Sequence, residues 1–200
     1  MKRPIVIEFS GLPNSGKTTL LFNLKEFFKD SKIKTLIVWE TAEILPSVIP
    51  SGSIAQNLWI TLETIQKNLE LKYVEDFDLI LLDRGLYNQL YWSTLYTENE
   101  SYSLFTRGII NTFSGMYDMW PDYLYVIDVD VEESLKRRML NEKSVTFSKK
   151  EFLTNYKKTF KKFYEKIENV LYIDTTHLSK DEVALEVYSK IKQIIKDEVL

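Results

Sequence analysis

Five short apolar runs, alternating with segments of helical periodicity, restrict the fold of this chain most. They are Ile5 to Phe9, Thr35 to Trp39, Leu79 to Asp83, Tyr123 to Asp128 and Val170 to Asp174. Near-continuous apolar runs of this length are typical of parallel strands that are buried on both faces. Strands alternating with helices therefore predict an α/β fold, a doubly wound five-stranded parallel sheet with helices on both faces.

Apolar stripes and capping residues locate several helices. One stripe comprises Ile54, Leu58, Leu62, Ile65 and Leu69, and a second comprises Val183, Val187, Ile191 and Ile194. Such spacing is typical of amphipathic helices that bury one face. Ser179 with Glu182, and Ser148 with Glu151, have the spacing of capping boxes, which predicts where two helices begin.

Composition narrows the class of protein. The chain has 200 residues, 44% of them hydrophobic, and we expect a single domain over residues 1–200. A net charge of -3 gives no general attraction to nucleic acid or to an anionic membrane. The chain has no cysteine, and its apolar stretches are too short to cross a bilayer. We therefore expect a cytoplasmic protein without a membrane partner.

The segment from Gly11 to Thr18 matches the phosphate-binding pattern G-x-x-x-x-G-K-[ST], between a predicted strand and a predicted helix. Glycines let the backbone curl so that its N–H groups face phosphate oxygens. Lys17 is expected to bridge the β- and γ-phosphates and Thr18 to bind Mg²⁺. The alternative is a glycine-rich turn without a ligand. The predicted nucleotide-binding residues are Gly11, Asn14, Ser15, Gly16, Lys17, Thr18 and Thr19, with the helix beginning at Thr19.

Polar residues stand at or just after the ends of the predicted strands, where α/β sheets bind ligands. These residues are Ser10, Glu40, Asp83 and Asp128. Asp83 is in a suitable place to hold Mg²⁺ with Thr18, although an aspartate there is also a common helix N-cap. The chain has neither an Asn-Lys-x-Asp motif nor an Asp-x-x-Gly motif after the third strand. ATP is therefore expected rather than GTP.

Three segments resemble the P-loop nucleoside and nucleotide kinases, which include deoxynucleoside, thymidylate and nicotinamide riboside kinases. They are Leu81-Leu82-Asp83-Arg84-Gly85, the run from Pro121 to Asp128, and the run from Val131 to Arg138. The resemblance implies the fold of P-loop nucleoside triphosphate hydrolases, with a small helical lid at about residues 136–150. It also implies a kinase that uses ATP and Mg²⁺.

The same resemblance implies roles for particular residues. Glu40 would accept a proton from an acceptor hydroxyl, with Glu43 as the alternative base. Arg84 would bind phosphate or acceptor oxygens, or pair with Glu40 or Asp83. Arg137 would screen the transferring phosphoryl group, as would Arg138 and the nearby Lys143. Basic residues are also common near a helix C-terminus because they interact favourably with the helix dipole, which is the alternative explanation for them.

The number of cationic side chains near the site bears on whether the acceptor is a nucleoside or a monophosphate. No arginine occurs between Ile54 and Tyr73, where related kinases place one beside the base. Few cationic clamps, together with Glu40, favour a nucleoside-like hydroxyl over a monophosphate. The aromatic residues that could stack on a base are Trp39, Trp59, Tyr87, Tyr91 and Trp92, and the polar residues that could contact its edge are Gln56, Asn57 and Gln66. For each aromatic residue, core packing is the alternative.

The sequence therefore predicts a kinase that transfers the γ-phosphoryl group of Mg-ATP to the 5′-hydroxyl of a nucleoside-like acceptor. The alternatives are a thymidylate-type nucleoside monophosphate kinase, a polynucleotide 5′-kinase and a non-catalytic ATP-binding regulatory protein. The segment from Lys149 to Lys166 is interpreted as an amphipathic helix whose lysines form a solvated face. Nucleic acid is therefore not the expected partner. The aromatic-rich stretch from Tyr87 to Trp120 is a candidate interface for a homodimer.

Overall fold

A computed structural model of the protein describes residues 3–50, 52–95, 100–139 and 150–199. The strands are β1 (Ile5–Gly11), β2 (Thr35–Val38), β3 (Leu79–Asp83), β4 (Tyr123–Asp128) and β5 (Val170–Asp174). They form one parallel sheet in the order β2-β3-β1-β4-β5. Each of the five predicted apolar runs is a strand, and the predicted P-loop α/β fold is confirmed.

Helices cover both faces of the sheet. They are α1 (Lys17–Lys29), α2 (Ile54–Leu71), α3 (Leu86–Leu95), α4 (Glu100–Tyr117), α5 (Val131–Met139), α6 (Lys150–Tyr164) and α7 (Lys180–Val199), with a 3-10 helix at Thr41–Ile44. On one face, α1 and α7 pack on alternate strand residues such as Ile7 and Ile127. On the other, α3 and α6 pack on Leu124 and Val126. Among the described residues, no helix is long and apolar enough to cross a membrane.

Helix α2 forms where the apolar stripe predicts it, but it does not bury that stripe as a whole. Ile54 and Leu62 are 45% and 51% exposed. The residues buried along α2 are mostly polar: Asn57, Thr61, Thr64, Ile65, Asn68 and Leu71. The polar members bond within the fold, as when the Thr61 hydroxyl donates to the Asn57 carbonyl at 2.7 Å. The apolar stripe is therefore buried only in part, at Ile65 and Leu69, because α2 turns polar side chains toward α3 and a cavity.

Two predicted helix starts can be compared with the structure. Ser179 and Glu182 form the predicted capping box, since each backbone N–H donates to the other residue's side chain, at 2.8 and 3.2 Å. Helix α1, in contrast, begins at Lys17 and not at Thr19, because Gly16 is its N-cap. The phosphate-binding turn therefore continues directly into the first turn of α1. Ser148 lies outside the described residues.

Candidate active site

The loop between β1 and α1 has a backbone shape that its sequence permits. Asn14 and Gly16 have positive φ angles of 57° and 93°, in the left-handed region that glycine and asparagine tolerate best. A Cβ atom added to Gly11 would lie 2.2 Å from the Ile127 carbonyl oxygen of β4. Any larger residue at position 11 would therefore push the loop away from the sheet.

The Lys17 side chain folds back over this loop. Its side chain is buried, and Nζ donates to the carbonyl oxygens of Gly11 and Leu12 at 3.2 and 3.0 Å. The pKa of Lys17 is lowered to about 7, mainly by burial and in addition by the charge of Arg84, against the opposing effect of the acidic neighbours Asp83 and Glu40. A polyanion bound in the loop would stabilise the charged form of Lys17 and raise its pKa.

Thr18 and Asp83 meet because β1 and β3 are neighbours in the sheet. The Thr18 hydroxyl donates to Asp83 Oδ2 at 3.0 Å. Asp83 Oδ1 is buried and has no hydrogen-bond partner in the described part of the chain, and burial raises the pKa of this carboxyl. No group of three potential ligands among the described His, Asp and Glu residues forms a complete metal cage. One hydroxyl and one carboxylate fit Mg²⁺, which takes most of its ligands from phosphate and water.

Arg84 pairs with Glu40 at the adjoining strand ends, one of the two arrangements expected for it. Arg84 Nε lies 3.1 Å from Glu40 Oε2, and both side chains are largely buried. Arg84 has a positive φ of 66°, which is unusual for a residue with a side chain, and its N–H donates to the Phe9 carbonyl at 3.0 Å. The backbone of Arg84 is thus held in a strained conformation of a kind often found at functional sites.

Glu8 secures the turn that follows Arg84. Its carboxylate accepts the backbone N–H groups of Tyr87 and Asn88, at 3.0 and 2.7 Å, at the start of α3. Glu8 is fully buried, and burial raises its pKa to about 7 against these hydrogen bonds. A Cβ added to Gly85 would lie 2.7 Å from Glu8 Oε2, so the carboxylate and the turn fit closely.

A cavity of about 470 Å³ opens beside the Glu40–Arg84 pair. Side chains of α2 and α3 supply its polar wall: Gln56, Asn57, Thr64, Asn88 and Gln89. Its apolar wall consists of Ile60, Trp92, Leu95 and Phe152. Gln89 Nε2 donates to Thr61 Oγ1 at 2.7 Å, which ties the two helices together. The cavity has the volume and the mixed lining of a small-molecule site.

A second cavity, of about 230 Å³, lies on the far side of the phosphate-binding loop. Ser15, Thr19, Arg137 and Thr175 are among its lining residues. Arg137 donates to the Thr175 carbonyl at 2.6 Å and is held by Glu133 on the same helix. The structure thus places Arg137 toward this cavity, and its predicted role on the phosphoryl group remains a prediction, as does that of Arg138. Lys143 and most of the predicted lid lie outside the described residues.

Comparison with known families identifies the class of enzyme. A family model described as thymidylate kinase matches residues 54–187, about two thirds of the chain. The chain belongs to the thymidylate kinase family. The match begins after the phosphate-binding loop and includes α2, β3 and α3, which build the larger cavity. The predicted phosphotransferase is confirmed, and membership of the thymidylate kinase family supports a nucleotide acceptor better than the nucleoside that the sequence favoured.

Related proteins of the thymidylate kinase family extend over nearly the whole chain. A probable thymidylate kinase of Methanocaldococcus jannaschii is 28% identical over 194 residues, covering 94% of this chain and 96% of the relative. One from Methanococcus aeolicus is 25% identical over 201 residues, covering 94% and 97%. The solved structure of thymidylate kinase from Candida albicans has a TM-score of 0.64 at 17% identity, covering 96% of this chain and 92% of that chain. This likeness supports the fold.

The structure distinguishes among the aromatic and amide residues singled out in this thymidylate kinase family member. Trp92, Gln56 and Asn57 line the larger cavity. Gln66 instead bonds to Glu70 on the exposed face of α2, at 2.9 Å. The remaining aromatic residues are not among the lining residues: Trp39 packs on Phe22, Tyr87 stacks on Trp120, Tyr91 is buried in the core, and Trp59 is half-buried. For Trp39, Tyr87 and Tyr91 the core-packing alternative holds.

Several site residues escaped the sequence analysis. Asn88 and Gln89 look like ordinary helix residues, and Lys67 of α2 reaches the cavity rim by donating to Thr41 at 3.2 Å. Glu8 had a usable signal, since an acidic residue inside an apolar strand must find partners. The side chain of Glu43, the alternative base, is not described.

Proposed function

We propose that the protein transfers the γ-phosphoryl group of Mg-ATP to a phosphate oxygen of a nucleoside monophosphate of the thymidylate type. The observation that carries the proposal is the position of the larger cavity. Most of its lining residues belong to the segment that matches the thymidylate kinase family, and Arg84 and Glu40 line it at the strand ends next to the phosphate-binding loop. The sequence alone favoured a nucleoside, which stays as the second candidate.

The donor nucleotide would bind along the loop between β1 and α1. Its polyphosphate would face the backbone N–H groups from Asn14 to Thr18, where the N-terminus of α1 adds positive potential. Lys17 would move from the Gly11 and Leu12 carbonyls onto the phosphates. The smaller cavity, next to Thr175, would hold the nucleoside part.

Thr18 and Asp83 would hold the magnesium ion, directly or through its water. When bound, Mg²⁺ supplies charge neutralisation at the phosphates. The unpartnered Asp83 Oδ1 and the exposed Thr18 hydroxyl are the groups that fit this ion. Both sit on rigid elements, Asp83 at the end of β3 and Thr18 in the first turn of α1.

The acceptor phosphate would lie against Arg84, whose guanidinium forks onto two oxygen atoms. A monophosphate attacks through an oxygen that is already ionised and needs no general base. In this function Glu40 positions Arg84 and neutralises its charge when the acceptor is absent. Lys67, at the cavity rim, would add a second positive charge for a dianionic acceptor.

A transfer assay with labelled ATP and a panel of acceptors tests the proposal. The panel holds thymidine, dTMP, the other nucleosides and monophosphates, and a 5′-hydroxyl oligonucleotide. We expect a pyrimidine monophosphate to be the best acceptor. Transfer to a nucleoside alone would favour the second candidate, and transfer to the oligonucleotide a polynucleotide kinase. ATP binding without any transfer would favour a regulatory protein. Light scattering of the same sample tests the homodimer, which stays a prediction.

Glu40→Gln separates the two acceptor classes. If Glu40 positions Arg84, the variant should raise the KM of dTMP about tenfold while transfer continues, because a charge-assisted contact is weakened. If Glu40 is the general base for a hydroxyl, kcat should fall about 10²- to 10⁴-fold with little change in KM. Glu75→Gln, at an exposed site, is the matched control.

A further inference from the structure

Tyr156 of α6 has a buried hydroxyl group that the fold leaves without a partner. The residue is 1% exposed, and its hydroxyl oxygen makes no hydrogen bond within the described part of the chain. A buried polar group without a partner is unfavourable, and native proteins keep few of them. Such a group requires an explanation, and a ligand is one of the accepted explanations.

Two neighbouring tyrosines show that this part of the core can satisfy a phenol. The Tyr91 hydroxyl donates to the Tyr156 backbone carbonyl at 2.9 Å and lies 2.8 Å from the Thr159 hydroxyl. The Tyr164 hydroxyl lies 2.7 Å from that of Ser10. All three tyrosines belong to the same buried cluster. The unpartnered hydroxyl of Tyr156 is therefore not a general property of the cluster.

The surroundings of Tyr156 place it beside the larger cavity. Its ring packs on Trp92 and Phe152, with centroid distances of 5.5 and 5.9 Å, and both of these residues line the cavity. Burial raises the pKa of the Tyr156 phenol. The charge of Arg84 lowers this pKa and the charge of Glu40 raises it. The phenol consequently stays protonated near neutral pH and keeps a proton to donate.

We propose that the Tyr156 hydroxyl binds the acceptor, donating a hydrogen bond to an oxygen of its phosphate group alongside Arg84. The inference rests on the proposed function and adds a phosphate-binding residue to it. A guanidinium offers donors and no acceptor, so Arg84 and Tyr156 are complementary to one anionic group placed between them. A neutral ribose or base edge would not gain from the nearby positive charge.

The test compares Tyr156→Phe with Tyr91→Phe. Both changes remove one hydroxyl from a buried tyrosine of the same cluster, but only the second removes a hydroxyl that is bonded within the fold. Calorimetry would measure the Kd of dTMP, thymidine and Mg-ATP, steady-state assays would give the KM of dTMP, and thermal unfolding would report stability.

For Tyr156→Phe we expect the Kd and KM of dTMP to rise about tenfold, as for a lost hydrogen bond to a charged group. The Kd values of thymidine and Mg-ATP should stay unchanged. The melting temperature should hold or rise, because an unsatisfied buried hydroxyl has gone. Tyr91→Phe should instead lower the melting temperature and leave dTMP binding unchanged.

Three results would overturn the inference while leaving the proposed function intact. They are an unchanged KM of dTMP in Tyr156→Phe, an equal loss of dTMP and thymidine binding, and a loss of stability as large as that of Tyr91→Phe. A wild-type protein that phosphorylates thymidine and does not bind dTMP would instead contradict the proposed function and this phosphate contact together.

Discussion

The phosphate-binding loop and the larger cavity, which we propose binds the acceptor, both lie at the carboxyl ends of the strands but are formed in different ways. Backbone geometry makes the loop, with its positive φ angles at Asn14 and Gly16 and its close approach to β4. Side chains from α2 and α3, which are distant in the sequence, make the cavity. The difference shows why one half of the site has a local sequence signature and the other has none.

Lys17→Ala should have the largest effect and should act on the donor half alone. Loss of this cation is expected to lower kcat/KM by about 10³-fold, because no other group replaces its contact with the phosphates. The Kd of dTMP should stay within twofold of wild type. Calorimetry for each nucleotide and steady-state kinetics measure both effects.

Lys25→Ala, an exposed lysine on α1, is the control and should behave like wild type. If Lys17→Ala weakened dTMP binding as strongly as ATP binding, the two halves would not be separate sites.

Glu8 supports the turn between β3 and α3, and its protonation should affect how the stability of the protein depends on pH. The pKa of Glu8 rises from 4.5 to about 7 on folding, so the native carboxyl binds more protons than the unfolded one in that range. The free energy of unfolding should therefore be highest below the unfolded pKa. It should fall as pH rises through the folded pKa, by about 3 kcal/mol. Chemical denaturation from pH 4 to 8 measures it.

Glu8→Gln should lose this pH-dependent component, whereas the exposed Glu75→Gln should keep it. A wild-type protein whose stability rose across the same pH range would show that the Glu8 carboxyl is not held as described.

Lys67→Met should have a smaller effect, confined to the acceptor half. Removing a half-buried cation at the cavity rim is expected to raise the KM of a monophosphate about fivefold, with the KM of ATP unchanged. Initial-rate kinetics with each substrate varied in turn measure the difference. Lys190→Met, an exposed lysine on α7, is the control. An equal change in the KM of ATP would mean that Lys67 does not act at the acceptor alone.

Proton uptake on ATP binding is the smallest expected effect and refines the description of the donor half. With the pKa of Lys17 lowered to about 7, the amine is mostly neutral at pH 8, and bound polyphosphate should raise that pKa again. Calorimetry in buffers of different ionisation enthalpy should show uptake of about one proton or less. Lys17→Arg keeps its charge at every pH and should show none. Uptake of the same size in that variant would assign the proton elsewhere.

The architecture and the loop followed from local patterns, whereas much of the acceptor half did not. The apolar runs predicted all five strands, and the spacing from Gly11 to Thr18 predicted the loop. The stripe on α2 misled, because it could not show that Ile54 and Leu62 face solvent while polar residues turn inward. The pairing of Arg84 with Glu40 was foreseen only as one of two arrangements.

The sequence by itself determined the strands, their alternation with helices, and the turn between β1 and α1 that matches the phosphate-binding pattern. Each depends on residues within one element or on its immediate neighbours, where side-chain chemistry limits the backbone directly. Tertiary structure decided that Glu8 holds the start of α3, 79 and 80 residues later. It also decided that the Tyr156 ring packs on two lining residues of the larger cavity, with a hydroxyl that has no partner among the described residues. Those placements depend on how separately formed helices pack on the sheet, which no local pattern specifies.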